Sequence, residues 1–165
     1  MIYYSFINFF NDNNIILTES QIKKLKRNNC LIISCFAGVG KNYAIKYLKD
    51  KGYKINTIEK YKNFDKSKFS QNIKKLADKS DLLFIPYYLN FEKDIDKDIE
   101  YILVYPELSL KNQYIDRYKK LKFSKNQIKY LSDNWEHMIK NCKENKYGIS
   151  INQDTTLLDI IDPLI

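Results

Sequence analysis

A glycine turn followed by a lysine is the part of this sequence with the clearest chemical meaning. The turn contains Gly38 and Gly40, and Lys41 follows it directly. Because glycine has no Cβ, such a turn lets backbone N–H groups close around a phosphate, and the lysine then brings a positive charge to the same place. The pattern predicts a phosphate site. The expected binding residues are Ala37, Gly38, Val39, Gly40, Lys41 and Asn42.

The segments on either side of the turn fit this interpretation. Residues 30–36 form an apolar run with β-branched side chains, which predicts a strand buried on both faces. Apolar residues then recur at helical spacing over residues 41–51, and Gly52 is typical of a helix end. The turn would therefore join a core strand to a helix N-terminus, where backbone donors and the helix dipole favour anions. The simpler alternative is a strand-to-helix turn whose glycines serve packing alone.

The turn matches a P-loop only in part. A P-loop reads glycine, four residues, glycine, lysine, and then serine or threonine, whose hydroxyl binds Mg²⁺. Gly40 and Lys41 match, whereas Cys35 replaces the first glycine and Asn42 replaces the hydroxyl residue. Asn42, the expected metal ligand, offers only a neutral amide oxygen. Phosphate binding is therefore better supported by the sequence than magnesium binding.

Strand-like and helix-like segments alternate along the rest of the chain. Helices are expected between the strands, including two between residues 108 and 141 that break near Phe123. The alternation predicts an α/β fold with a mostly parallel sheet covered on both faces. Residues 1–29 are assigned to an N-terminal extension, with a helix from Thr18, and residues 30–165 to one domain. The five expected strands lie near residues 30–36, 53–59, 81–86, 101–105 and 148–151.

Several further segments carry a more specific pattern. They are residues 32–41 (IISCFAGVGK), 80–85 (SDLLFI), 103–111 (LVYPELSLK), 114–118 (YIDRY) and 132–136 (SDNWE). Together these segments resemble small phage-encoded nucleoside or nucleotide kinase-like P-loop proteins, a family related in fold to the nucleoside monophosphate kinases. The resemblance covers about residues 30–162. It implies a P-loop NTPase three-layer sandwich with the strand order of those kinases.

The resemblance also implies roles for particular residues. ATP would bind at residues 37–42, with Lys41 neutralising the transferred phosphate and Arg117 reaching the phosphates as a lid arginine. Arg117 is one of only two arginines in the chain, and its simpler interpretation is a surface ion pair with Asp116 or Glu107. Glu59, at the end of the second expected strand, would accept a hydrogen bond from a nucleoside hydroxyl or act as a base. The alternative is a solvated charge at a strand end.

Other candidates for the acceptor side follow the second and third expected strands. Tyr87 and Tyr88 could stack on a base, although partial burial explains tyrosines in a Tyr-rich chain equally simply. Asp65 with Ser67 is a further acidic candidate. The third strand ends in proline and tyrosine rather than the acid that holds Mg²⁺ in related enzymes, and Asp81 lies at its other end as a cap. The expected cofactors are ATP and Mg²⁺, and the sequence supports Mg²⁺ less well than ATP.

The large net charge of the chain says little about its binding partners. The formal net charge is +8, from 28 Lys and Arg against 20 Asp and Glu. Residues favoured by AT-rich codons (Lys, Asn, Ile and Tyr) make up roughly half of the chain, so coding bias explains much of this charge. Specific nucleic-acid readers favour arginine. Nucleic acid is thus a possible partner but not the favoured one, and the three cysteines, without paired spacing, predict a reducing compartment.

These patterns leave three functions open. The first is an ATP-dependent nucleoside or nucleotide kinase, and the second is a degenerate P-loop protein that binds nucleotide as a regulatory module without turnover. The third is a nucleic-acid-binding protein or polynucleotide-end kinase that uses its lysine surface. The apolar N-terminus runs into an Asn-rich stretch and is too short to span a bilayer, so we expect a cytoplasmic protein, in the host cytoplasm if the source is viral.

Overall fold

The computed structural model describes residues 25–60 and 64–165, together with Ser20 and Lys23. The helix expected from Thr18 lies mostly outside these residues. Parallel strands and helices alternate through the described chain, which confirms the expected α/β fold. The strands are β1 (Lys26–Arg27), β2 (Cys30–Cys35), β3 (Ile55–Thr57), β4 (Leu82–Pro86), β5 (Ile102–Pro106) and β6 (Gly148–Ile151).

The sheet has six strands in the described part of the chain, so the expected number of five was wrong. The additional strand, β1, pairs antiparallel with β2, with Arg27 opposite Cys30. Asn28 and Asn29 connect them with φ values of 48° and 67°. Two positive φ angles at asparagines are typical of a tight hairpin turn. A strand of two residues is too short to show a hydrophobic period, which is why the sequence pattern did not reveal it.

Helices flank the sheet. They are α1 (Lys41–Asp50), α2 (Phe69–Ala77), α3 (Lys111–Lys120), α4 (Lys125–Asp133), α5 (Trp135–Lys143) and α6 (Leu157–Ile161). The expected break near Phe123 is present, and Ser124 caps α4 with a capping box. A second break at Asn134 makes three helices where two were expected. At Asn134 the backbone angles are φ −104° and ψ 7°, outside the helical range, and this separates α4 from α5. Both the backbone N–H and the side-chain Nδ2 of Asn134 donate to the carbonyl of Tyr130, at 3.1 and 2.8 Å.

The order of the strands opens a crevice beside β2. The sheet runs β3-β4-β2-β5-β6, and these five strands are parallel. From β2 the chain passes through α1 to β3 on one side, whereas from β5 it passes through α3, α4 and α5 to β6 on the other. Open α/β sheets bind ligands at such a switch point, outside the carboxyl ends of the strands. The glycine turn follows β2 and therefore lies at this point.

The core fixes the strand that carries the turn. All six residues of β2 are buried, and Phe36, which follows β2, stacks on Tyr87 and meets the edge of Trp135. Burial of aromatic rings and aliphatic side chains on both faces of β2 stabilises it. The end of β2 is thus a rigid base for the turn. Within the residues that the structure covers, no helix has the length and apolar character needed to cross a membrane.

Candidate functional site

The glycine turn, residues 36–40, is held at both ends and open in the middle. At its start the N–H of Phe36 donates to the carbonyl of Val104 on β5 at 2.9 Å. At its end the carbonyl of Gly40 accepts from the N–H of Ala44 at 3.1 Å, which begins α1. Gly38 and Gly40 have φ values of +88° and +97°. L side chains disfavour these angles, so the glycines are needed for the shape of the turn.

Backbone donors of the turn remain unused. The N–H groups of Gly38, Gly40 and Lys41 donate to no acceptor in the part of the chain that the structure describes. Gly40 is the N-cap residue of α1, and as a glycine it has no side chain that could accept from these N–H groups. The turn therefore presents several N–H groups at the N-terminus of a ten-residue helix. Such a group of donors suits an anion, and it suits a phosphate in particular because several donors can reach its oxygens together.

Two side chains of α3 hold the carbonyl side of the turn. The phenol of Tyr118 donates to the carbonyl of Ala37 at 2.7 Å, and the guanidinium of Arg117 donates to the carbonyl of Gly38. A Cβ added at Gly38 would lie 2.8 Å from Cε1 of Tyr118 and 3.3 Å from Cδ2 of Tyr114. The turn is therefore pressed against α3, with its carbonyls bound to α3 and its free N–H groups left for a ligand.

Arg117 contributes a cation with no carboxylate partner among the described residues. Its guanidinium carbon lies 4.4 Å from the centre of the Tyr114 ring, and the side chain is exposed. The surface ion pair with Asp116 or Glu107, which was the simpler interpretation of Arg117, does not form among the described residues, and Asp116 pairs instead with Lys119 at 3.9 Å. Arg117 retains further N–H donors beyond the one bound to Gly38. Its charge is thus available at the edge of the turn.

Lys41 and Glu59 meet across the crevice. The ammonium nitrogen of Lys41 lies 2.9 Å from Oε1 and 3.1 Å from Oε2 of Glu59. The side chains are 24% and 40% exposed, so the pair is at the surface of the site rather than in the core. Glu59 follows β3, which lies two strands away from β2 in the sheet. The fold has brought together two residues for which separate roles were expected from the sequence.

Cys35, which replaces the first glycine of the P-loop pattern, faces the core. Burial raises the pKa of its thiol to about 12, although the nearby charge of Lys41 acts in the opposite direction. The thiol is therefore neutral at physiological pH and is not a nucleophile. At this position the side chain contributes packing at the end of β2.

A pocket of about 300 Å³ has Glu59 in its wall. Asp65, the second acidic candidate, lies in the same pocket. Its Oδ1 accepts from both the N–H and the hydroxyl of Ser67, at 3.0 and 2.7 Å. These bonds hold the pKa of Asp65 below its usual range. The two carboxylates that the sequence singled out on the acceptor side thus share one surface pocket.

Tyr87 lies apart from this pocket, in the core. Its ring is 8% exposed and stacks on Phe36 with centroids 5.4 Å apart. Its hydroxyl lies 2.8 Å from the side-chain oxygen of Asn141 and 3.1 Å from the carbonyl of Met138. The neighbouring Tyr88 is also buried and donates to Asp94 at 2.8 Å. Both tyrosines serve packing in this arrangement, and neither lines the pocket beside Glu59.

The groups around the turn do not fit a metal held by the protein. Asn42 is exposed on the first turn of α1, and at the carboxyl end of β4 the carbonyl of Pro86 accepts from the hydroxyl of Ser34 at 3.2 Å. Asp81 lies at the opposite edge of the sheet, where it caps the N–H of Lys54 at 2.7 Å. Within the described residues no three His, Cys, Asp or Glu side chains are grouped for a metal ion. Among the described residues, the turn has neither the hydroxyl at position 42 nor the carboxylate at the end of β4 that hold Mg²⁺ in P-loop enzymes.

The contact of Tyr118 with the glycine turn was not predicted from the sequence, although the spacing of Tyr118 from Tyr114 could have indicated it. Tyr114 and Tyr118 are four residues apart, which places them on one face of α3, and both are buried against the turn. Tyrosines are common in this chain, so the pair did not stand out.

The sequence matches no protein-family model, and no curated protein matches it either.

Proposed function

We propose that this protein binds ATP at the glycine turn and transfers its γ-phosphate to a small nucleoside or nucleotide acceptor. One observation carries the proposal: unused N–H groups, Lys41 and Arg117 converge from separate elements on the crevice at the carboxyl edge of the sheet. Positive charge and fixed donors at a topological switch point favour a polyphosphate. The resemblance of residues 30–162 to kinase-like P-loop proteins supports ATP as the polyphosphate that binds there.

The proposed reaction uses positioning and charge more than covalent chemistry. The backbone N–H groups of the turn bind phosphate oxygens, and Lys41 and Arg117 neutralise the charge that develops on the transferred group. The acceptor hydroxyl oxygen forms a bond to the γ-phosphorus while the bond to the bridging oxygen breaks, and ADP leaves with the electron pair. Glu59 takes the proton of the hydroxyl. Lys41 must leave Glu59 to reach the phosphates, and this frees the carboxylate for that task.

Nucleotide binding without turnover is the second candidate. It is favoured by Asn42, which stands where a kinase has a metal-binding hydroxyl, and by Pro86, which ends β4 where an acid is expected. A protein of this kind would keep the N–H groups of the turn and Lys41 but would lack a metal ligand of its own. It would act as a binding or regulatory module.

Calorimetric titration with ATP, with and without Mg²⁺, tests the proposal. We expect wild-type protein to bind ATP, and Lys41→Ala to lose at least about tenfold in affinity because it removes a charge-assisted bond to phosphate. Lys46→Ala, an exposed lysine on the same helix, is the matched control and should bind as wild type does. Failure of the wild type to bind ATP would exclude both candidates.

A screen of nucleosides and nucleotides as phosphate acceptors then separates the two candidates. Formation of ADP that depends on the acceptor and on Lys41 supports the kinase. Lys41-dependent ATP binding with no acceptor consumed supports the binding module. Salt-sensitive binding of DNA or RNA that is unchanged in Lys41→Ala points instead to a nucleic-acid-binding protein.

A further inference from the structure

The pocket beside Glu59 has the size and position of an acceptor site. Its volume of about 300 Å³ is at the lower end of the range for small-molecule sites and suits a ligand as small as a nucleoside. Glu59 is part of its wall and also binds Lys41 at the end of the glycine turn. A ligand in this pocket would therefore meet the γ-phosphate of an ATP molecule bound at the turn.

The charged groups in the wall of the pocket are carboxylates. They are Glu59 and Asp65, and none of the described lining residues is a lysine or an arginine. Two lysines lie close by in the sequence, but Lys60 and Lys66 hold their ammonium groups 5.2 and 5.0 Å from the ring of Tyr88. Lys66 also lies 3.8 Å from Asp94. These contacts hold both ammonium groups over Tyr88, which does not itself line the pocket but contacts Phe64 of its wall.

This charge is present at neutral pH. The hydrogen bonds from Ser67 hold the pKa of Asp65 below its usual range, so the carboxylate is ionised. In the ATP complex Lys41 would be engaged with phosphate, and Glu59 would keep its own negative charge. A phosphate monoester carries a charge of about −1.5 to −2 at pH 7. Two carboxylates would repel a ligand of that kind and leave a neutral one unaffected.

The remaining wall suits a nucleobase. Phe64 offers an aromatic ring, supported by edge contacts to Phe69 and Tyr88 with centroids 5.1 and 5.8 Å apart. Ile58 and Leu76 add apolar surface. Asn72 brings to the same pocket an exposed amide, which both donates and accepts hydrogen bonds and can read the edge of a base.

We infer that the acceptor is an uncharged nucleoside rather than a nucleoside monophosphate, with its hydroxyl at Glu59 and its base against Phe64. The inference rests on the proposed function, since the hydroxyl reacts only when ATP occupies the turn. The hydroxyl oxygen bonds to the γ-phosphorus, the bond from that phosphorus to the bridging oxygen breaks, ADP leaves with its electrons, and the proton passes to Glu59. The product is a nucleoside monophosphate, whose new negative charge favours its release from an acidic pocket.

Acceptor binding to protein loaded with a non-hydrolysable ATP analogue tests the inference. Each natural nucleoside and its 5′-monophosphate are titrated in parallel, and the best nucleoside is expected to bind about tenfold or more tightly than its monophosphate. Asp65→Asn keeps an oxygen that can accept from Ser67 but removes the charge. It should therefore lower the ratio of the nucleoside affinity to the monophosphate affinity. Asp50→Asn, at the exposed far end of α1, is the matched control and should leave the ratio unchanged.

The possible failures are distinguishable. If the ATP analogue does not bind to wild-type protein, the proposed function itself fails, and the inference fails with it. If the analogue binds but a monophosphate binds as tightly as its nucleoside, or neither binds, the inference is overturned while ATP binding stands. An unchanged ratio in Asp65→Asn would show that the charge of the pocket does not select the acceptor, and would also overturn it.

Discussion

Glu59 holds the ammonium group of Lys41 with both of its carboxylate oxygens, at 2.9 and 3.1 Å. The pair joins the end of β3 to the start of α1 across the crevice at the carboxyl edge of the sheet. A phosphate bound at the glycine turn must compete with this carboxylate for the lysine. The ion pair therefore links the two halves of the proposed reaction, because breaking it supplies both a cation for ATP and a base for the acceptor.

Glu59→Gln should separate these two effects. The neutral amide competes less well for Lys41, and a half-exposed ion pair contributes at most about 1 kcal/mol, so ATP affinity should rise by about twofold to fivefold. Loss of the base should at the same time lower kcat by about 10²-fold or more. Titration calorimetry and steady-state kinetics measure the two quantities. Glu144→Gln, at an exposed glutamate that directly follows α5, is the control and should change neither quantity. Weaker ATP binding in Glu59→Gln would contradict the proposed competition.

Gly38→Ala should destabilise the turn more than Gly52→Ala destabilises the end of α1. Both glycines have positive φ, at +88° and +93°, so both substitutions carry a backbone cost of about 1–3 kcal/mol. Only at Gly38 would the new Cβ also meet a side chain, 2.8 Å from Tyr118, whereas nothing lies within 4 Å at Gly52. Urea unfolding gives both free energies. Equal losses in the two variants would show that α3 yields to the methyl group without cost.

Tyr118→Phe should weaken the support of the turn without changing its residues. The substitution removes the hydroxyl that donates to the carbonyl of Ala37 at 2.7 Å and leaves this oxygen without its partner. We expect a loss of about 1–2 kcal/mol in the free energy of unfolding, and weaker ATP binding because the N–H groups of the turn are held less firmly. Tyr130→Phe removes the hydroxyl of a tyrosine that is 47% exposed and should change neither quantity.

Stability should fall at alkaline pH, beginning near pH 9. Burial raises the pKa of Cys30, Cys35 and Cys142 from the usual 9.0 to about 12 in the folded protein. Above pH 9 the unfolded chain therefore releases protons that the folded chain keeps. Each thiol then lowers the free energy of unfolding by up to about 1.4 kcal/mol per pH unit between pH 9 and 12. Tyr101 and Tyr105 add to this loss above pH 10, since burial raises their pKa from 10.0 to about 12 as well.

Urea midpoints between pH 7 and 10.5 measure this alkaline loss. Cys142→Ala removes one of the three thiols and should make the decline above pH 9 less steep, even though it lowers the stability at pH 7. A decline of the same slope in wild type and variant would show that the thiols do not cause it.

Local pattern predicted most of the elements of this fold. The apolar run over residues 30–36 forms β2, which ends at Cys35, one residue before its expected end. The helix from Lys41 ends at Asp50, and Gly52 follows it in the left-handed conformation. These elements are specified by residues close together in the chain, through burial of an apolar run and glycine at a helix end. The two errors concern small features: the two-residue strand β1 and the non-helical backbone angles of the single residue Asn134, which separate α4 from α5.

The sequence by itself determined the chemistry of the turn, since two glycines and a lysine between a buried strand and a helix are a local pattern. Only the tertiary structure decided which side chains from other elements lie beside that turn. Lys41 and Glu59 are 18 residues apart, and Arg117 is 79 residues from Gly38, so their meeting depends on the order of the strands and on the packing of α3. No local periodicity encodes that order, because it follows from how the faces of the whole sheet are covered.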